Sequence, residues 1–319
     1  MVTAVFHWGH RYDTTWRALS SRYTKGKLVL AALSPALFAV LAGLFFALSS
    51  IYTRWGLERA GTGAAVLVTA LANVVVFWPL FLIFSPFSSI SSWVVLVFIG
   101  AGITGPFLGR LLLFNGMARL GVSVATPLYN IQVLFAVIGG VIFFNETLTP
   151  FIGLGTLVLL GGVALLSLDT SGGNKDKPRR LVDLAFPLAS GFFFAVSFML
   201  RKWGLQIAPE IYLGLAMMAS TSFFTAFILA PVQGKPLAFP RGHPLVMFAI
   251  AGLLTNVAQL FSLKAILEGD LVVVIPLQNT QPLFALLLSA MFLRRLERVT
   301  PMIIAGAMLV VVGAVLVNF

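Results

Sequence analysis

Two pairs of amides stand at matching distances from two prolines. Asn130 and Gln132 follow Pro127 by three and five residues, and Asn279 and Gln281 follow Pro276 in the same way. An amide both donates and accepts, so in an apolar setting it can hold a polar solute or tie two helices together, such a tie being worth about 1 kcal/mol or less. Each proline lacks an N–H and frees the carbonyl four residues earlier, at Ser123 and Val272. Both helices are therefore expected to bend or break just before the amides, with Pro127 and Pro276 as hinges and Pro282 as a second interruption in the later helix. On an unbroken helix, residues two apart point about 200° apart, so only one amide of each pair faces a cavity. Asn130 and Asn279 are placed there marginally ahead of Gln132 and Gln281.

Arg110 is the clear cation inside an apolar stretch. Its planar fork suits a carboxylate or phosphate, while its long side chain also allows the charge to reach the interface. In the matching stretch of the second half, Asn256 and Gln259 lie three apart and share a helix face, which must turn inward because lipid would leave it unsatisfied. The acids Glu58, Glu146, Glu210, Glu268, Asp270 and Glu297 all fall at the ends of apolar runs, and His7, His10 and His243 lie outside them. Glu146 and Glu297 are expected to settle the turns before helix starts. Cysteine is absent. No nucleophile with a base and no metal-ligand cluster is legible at membrane depth, which argues against an enzyme and leaves no metal or cofactor to assign.

The elements that position these groups are membrane helices. Mean hydropathy is +1.01 and charged residues make up 10%, far from the roughly 25% of soluble domains. Runs long enough to cross a bilayer fall near 28–53, 63–84, 92–117, 122–144 and 149–168, then 184–203, 210–231, 244–265, 270–293 and 299–318. In the fourth and ninth runs the amides lie roughly 12 to 17 Å from the helix start, near the midplane. The net charge of +11 is explained by topology and anionic headgroups, with lipid rather than nucleic acid as the contact. Residues 1–27 form a basic, aromatic-rich segment that reads as an interfacial helix or a disordered tail.

The chain contains itself twice. GLFFALSSIYTRWGL from Gly43 matches GFFFAVSFMLRKWGL from Gly191, TPLYNIQVLFAVIG from Thr126 matches IPLQNTQPLFALLL from Ile275, and ETLTP from Glu146 matches ERVTP from Glu297. A first repeat over 28–168 and a second over 184–319 are joined by the polar linker 169–183. Five spans in each unit is an odd number, so the second unit enters the membrane inverted, which places a site between the halves. The pairs Thr149-Pro150 and Thr300-Pro301 start the last helix of each unit. Gly155 and Gly162, and Gly306 and Gly313, give each of those helices one smooth face, for packing within the chain or for a homodimer. A monomer suffices for the proposed site.

Ten spans put both termini on one side. With that side cytoplasmic, it collects 8 Lys and Arg against 12 opposite, whereas the flanks of the first span favour a cytoplasmic N-terminus.

As a set, the GxFFAxS…WGL blocks, the stretches ARLGVSVATPL and EGDLVVVIPL, and the Glu…Thr-Pro endings with seven-spaced glycines resemble the drug/metabolite transporter superfamily, in proteins with two EamA domains. The resemblance covers about nine tenths of the chain. It implies an all-α membrane protein of ten helices in two inverted five-helix repeats. It also implies a small-molecule exporter or exchanger of the plasma membrane, moving amino acids, other metabolites, sugar-phosphate-like solutes or drugs through a central cavity. The mid-membrane glutamate that the superfamily's small multidrug exporters carry in their first helix is missing from Leu28–Tyr52 and Leu184–Leu200. A channel or receptor is the competing reading, against which stands the lack of a charged pore ring. The carrier is expected to rock one unit against the other around the amides.

Overall fold

A computed structural model describes residues 34–57, 59–85, 91–120, 125, 128–169, 181–229, 240–292 and 301–319. Pro127, Ser123, the segment 1–27, the linker core 170–180, Glu58, Glu297 and Thr300 lie outside them. The described chain is built from α1 (Pro35–Leu57), α2 (Thr62–Phe84) and α3 (Ser92–Gly102), which continues through a π-helical stretch (Ile103–Gly109) into α4 (Arg110–Leu120). Next come α5 (Gln132–Phe144), α6 (Pro150–Asp169), α7 (Leu181–Ile207), α8 (Ile211–Leu229) and α9 (His243–Glu268). The last are α10 (Leu271–Gln278), α11 (Gln281–Phe292) and α12 (Pro301–Val317).

Among the described residues, 6 helical segments are able by length and composition to cross a membrane, and shorter apolar helices at Gln132–Phe144, Pro150–Leu166, Leu271–Ala285 and Ile304–Val317 accompany them. Apolar side chains such as Val75, Ile83, Ile142, Phe143 and Ile228 stand exposed on the outside, as lipid permits and water would not. Helix ends follow local chemistry. Pro35, Pro150 and Pro301 each occupy a first helical position, where the missing N–H is harmless. Thr149 Oγ1 accepts the Ile152 N–H at 3.2 Å, and Asn145, with φ 53°, closes α5 in the left-handed conformation.

The dominant helix pairs join one repeat to the other. α1 packs on α9, α10 and α11, and α7 packs on α3, the π-helical stretch, α4 and α5. α2 meets α8 and α9, α3 meets α8, and α6 lies along α12. The repeated blocks explain this interleaving residue by residue. Ser49 Oγ donates to the Ala251 carbonyl at 2.9 Å, and its counterpart Ser197 donates to Ala101 at 2.8 Å. A Cβ on Gly56 would strike the ring of Phe248, and one on Gly204 would meet the ring of Phe98 at 2.9 Å; both rings are fully buried. The GxFFAxS…WGL block is thus the surface by which each repeat grips the other.

The seven-spaced glycines also meet. A Cβ on Gly155 would lie 2.8 Å from the Gly313 carbonyl, and one on Gly162 would lie 2.7 Å from that of Gly306. The residue numbers run oppositely, so α6 and α12 are antiparallel, and these faces are used within the chain.

Candidate functional site

The later amide pair lies on a helix interruption. Asn279 and Thr280 form a turn between α10 and α11, with the Asn279 N–H reaching the carbonyls of Ile275 at 3.1 Å and Pro276 at 3.0 Å. Asn130 and Ile131 form the matching turn ahead of α5. The expected break therefore falls at the asparagines rather than before them, and the 200° argument fails because Asn and Gln are not on one continuous helix. Asn130, Gln132 and Asn279 are all buried; Gln281 is half-buried. Pro276 lies inside α10, three residues before the turn. Pro282 makes no second break: it is the second residue of α11, where its missing N–H leaves nothing unpaired.

Glycine lets a neighbouring helix reach each interruption. A Cβ on Gly43 of α1 would come within 2.9 Å of the Gln278 carbonyl, and one on Gly191 of α7 within 2.7 Å of the Tyr129 carbonyl. The first residue of the repeated block is small because backbone lies against it. At these turns the Asn130 Nδ2, Gln132 Oε1 and Asn279 Nδ2 atoms have no hydrogen-bond partner among the described residues. Asn256 is partly occupied as glue, donating to the Ala72 carbonyl at 3.3 Å, while Gln259 is buried on the same helix.

Arg110 begins α4 directly after the π-helical stretch. Pro106 lies inside that stretch, and Gly105 and Gly109 let α7 approach so closely that a Cβ on either would strike Ser197 or the Phe194 ring. Bulges of this kind re-aim the residue that follows them. Phe194 also packs edge-on to Tyr129, with ring centroids 5.3 Å apart. Arg201, seven residues beyond Phe194 and so on the same face of α7, is only 4% exposed, and its Nε lacks a partner among the described residues. Arg110, Arg201 and Tyr129 are near enough to act on one another electrostatically, and Gln132 hydrogen-bonds the Tyr129 side chain. From the sequence alone Arg201 and Lys202, a basic doublet near the end of an apolar run, read as flanking the membrane, where such charges ordinarily collect. The signal against this was the WGL that follows, which carries the helix on to Ile207 as it carries α1 to Leu57.

Lys202 faces the other way. Its Nζ lies 2.7 Å from Glu146 Oε1 and 3.4 Å from Asp270 Oδ1, and donates to the Gly269 carbonyl at 2.8 Å. Glu146 Oε2 accepts the Val272 N–H at 3.0 Å. Glu146 does settle a helix start, but it is that of α10 in the other repeat rather than the one that follows it in sequence. A cleft of about 210 Å³ opens beside this ion pair, between α7 and the α9–α10 turn. Among the described residues no cluster of His, Asp or Glu is arranged to hold a metal.

A family model described as the EamA-like transporter family matches residues 33–168 and again 182–319. No curated protein matches the chain. A solved structure described only as "Crystal structure of protein" superposes with a TM-score of 0.75 at 18% identity, over 89% of this chain and 98% of that one. At that identity the likeness speaks for the fold alone.

Proposed function

The chain belongs to the EamA-like transporter family, and from that premise we propose that it is a secondary carrier, an exporter or exchanger of a small metabolite such as an amino acid, working by alternating access. The observation that carries this reading is the pair of helix interruptions, one from each repeat, with partnerless amide atoms at both. Broken helices at the meeting of two repeats are where carriers hold their solutes. Asn130, Gln132, Asn279 and Gln281 line the solute site, with Gln259 and the free oxygen of Asn256 beside them. Pro127 and Pro276 set the bends. A carrier of sugar-phosphate-like or drug solutes is the alternative within the same architecture. The family speaks against an enzyme, and a monomer is enough for the mechanism.

The bundle is read as ten spans in two inverted units in the plasma membrane, both termini cytoplasmic on the strength of the first helix's basic flank. The moving bodies are not the sequence repeats. In this proposal α1 moves with α9 and α11, and α7 with α3, α4 and α5, the helices on which each packs. The α2–α8 pair, which joins the two groups, is the line about which they tilt.

Counterflow in proteoliposomes tests the reading. Vesicles preloaded with a mixture of unlabelled amino acids should accumulate labelled ones transiently and saturably. Asn130→Ala and Asn279→Ala should each lower that uptake by about 10-fold or more, since each removes a polar contact from a desolvated site. Unchanged uptake in both variants would remove the amides from the site, and flux that never saturates would favour a channel.

A further inference from the structure

Two guanidinium groups, Arg110 and Arg201, enter the bundle beside one phenol and one amide, and among the described residues neither has a carboxylate partner. Elsewhere in the described residues Arg119 pairs with Asp183, Lys202 with Glu146 and Asp270, and Lys264 with Glu268. A charge taken out of water is normally matched by an opposite one, because its lost hydration is otherwise uncompensated. Two like charges sharing one region add their own repulsion. A pair of arginines kept in this state calls for an anion that is not part of the protein.

The geometry suits a shared ligand. α4 and α7 run antiparallel, as shown by Gly105 against Ser197, Gly109 against Phe194 and Gly116 against Pro187. Arg110 therefore sits level with Phe194, and Arg201 lies seven residues, roughly 10 Å, further along. Tyr129 packs on Phe194, level with Arg110, at a ring distance of 5.3 Å, near enough to both arginines to act on them electrostatically. The partnerless Arg201 Nε and Gln132 Oε1, both on residues no more than 5% exposed, remain available on the walls of that interval. Arg110 itself keeps some accessible surface. The second repeat has Gln259 and Gln278 in the places of Arg110 and Tyr129, and the first has Thr53 in that of Arg201, so neither arginine is repeated in the other unit.

We infer that this half of the solute site binds the anionic group of an organic acid, a carboxylate or a phosphate monoester, between Arg110 and Arg201, with Tyr129 and Gln132 as hydrogen-bond partners. This rests on the carrier reading and narrows it to anionic or zwitterionic solutes. The rings of Tyr129 and Phe194 would flank the part of the solute next to its charged group.

Calorimetric titration of the full chain in phosphatidylcholine nanodiscs provides the test, with benzoate, phenyl phosphate and the neutral isostere benzamide as probes. Benzoate or phenyl phosphate should bind at least 10-fold more tightly than benzamide, and the stronger of the two identifies the head group. Arg110→Gln and Arg201→Gln should each raise the Kd of the preferred anion at least 10-fold, while Arg119→Gln, which touches only Asp183 and the ring of Phe186, leaves it unchanged. Should Arg201→Gln not elute as a monodisperse protein, Arg110→Gln and Arg201→Lys decide the matter. Binding of benzamide as tight as that of the anions, failure of both anions to bind, or anion binding untouched by the arginine variants would overturn the inference. Counterflow separates the two readings. Saturable counterflow together with charge-blind binding sinks the anion site alone. Anion binding without counterflow sinks the carrier alone.

Discussion

Residues that agree between the two repeats hold the halves together and supply the amides of the proposed site, and residues that differ give that site its charge on one side. Ser49 and Ser197, Gly43 and Gly191, and Gly56 and Gly204 occupy the same places and make the same kind of contact. Arg201, Arg110 and Tyr129 have no such counterparts. Asn130 and Asn279 were legible in the sequence because a polar side chain stands out in an apolar run at a repeated distance from proline. Arg201 was not, because its charge is ambiguous near a span end and only the packing of α7 resolves it. Lys202 and Glu146 meet in a contact between segments far apart in sequence, which no local pattern announces. Their ion pair is mostly buried, with side-chain exposures of 10% and 3%, so removing one partner leaves a charge unmatched. Lys202→Met should destabilise the protein by about 3–5 kcal/mol, read as lower resistance to thermal unfolding in detergent. Restored stability in the double variant Lys202→Met, Glu146→Gln would identify the unmatched charge as the cause. Loss that persists in the double variant would assign the effect to packing instead.

At the scale of the element, the interruption of α10 and α11 and the bulge before Arg110 are local consequences of proline and glycine. The sequence points to them through Pro276, Pro106 and the glycines from Gly100 to Gly109. It cannot place the break to the residue, since a proline only removes a donor and tertiary contact decides where the helix yields. Here the decisive contact is glycine: α1 touches the α10–α11 turn at Gly43, and α7 touches the turn before α5 at Gly191. A methyl group at Gly43 meets the Gln278 backbone, which has no flexible end to move aside. Gly43→Ala should therefore displace the turn and lower transport by about 10- to 100-fold, the cost of a misplacement of about 1 Å. Gly153→Ala on α6, where nothing lies within 4 Å of the added methyl, should leave transport unchanged. Equal activity in the two variants would show that close approach at the turn is irrelevant.

In the whole molecule, the duplication readable from Gly43 and Gly191 specifies two copies of one unit, but not how they combine. That depends on contacts between residues some two hundred positions apart, such as Ser49 with Ala251, which no local pattern encodes. In the proposed carrier the moving bodies mix helices of both repeats, because α1 and α7 are each bound into the other repeat. Alternating access then means that the two turns are reached from each side of the membrane in succession. The absence of cysteine from the chain makes this measurable without knowing the solute. Asn130→Cys and Asn279→Cys, each in a protein with no other thiol, can be exposed to a membrane-impermeant methanethiosulfonate reagent added to right-side-out and to inside-out vesicles. A carrier with its site at these turns predicts modification of both cysteines from either side, in membranes that conduct no ions. Cysteines that resist the reagent from both sides would mean that the amides are permanent ties between helices, and would contradict the account.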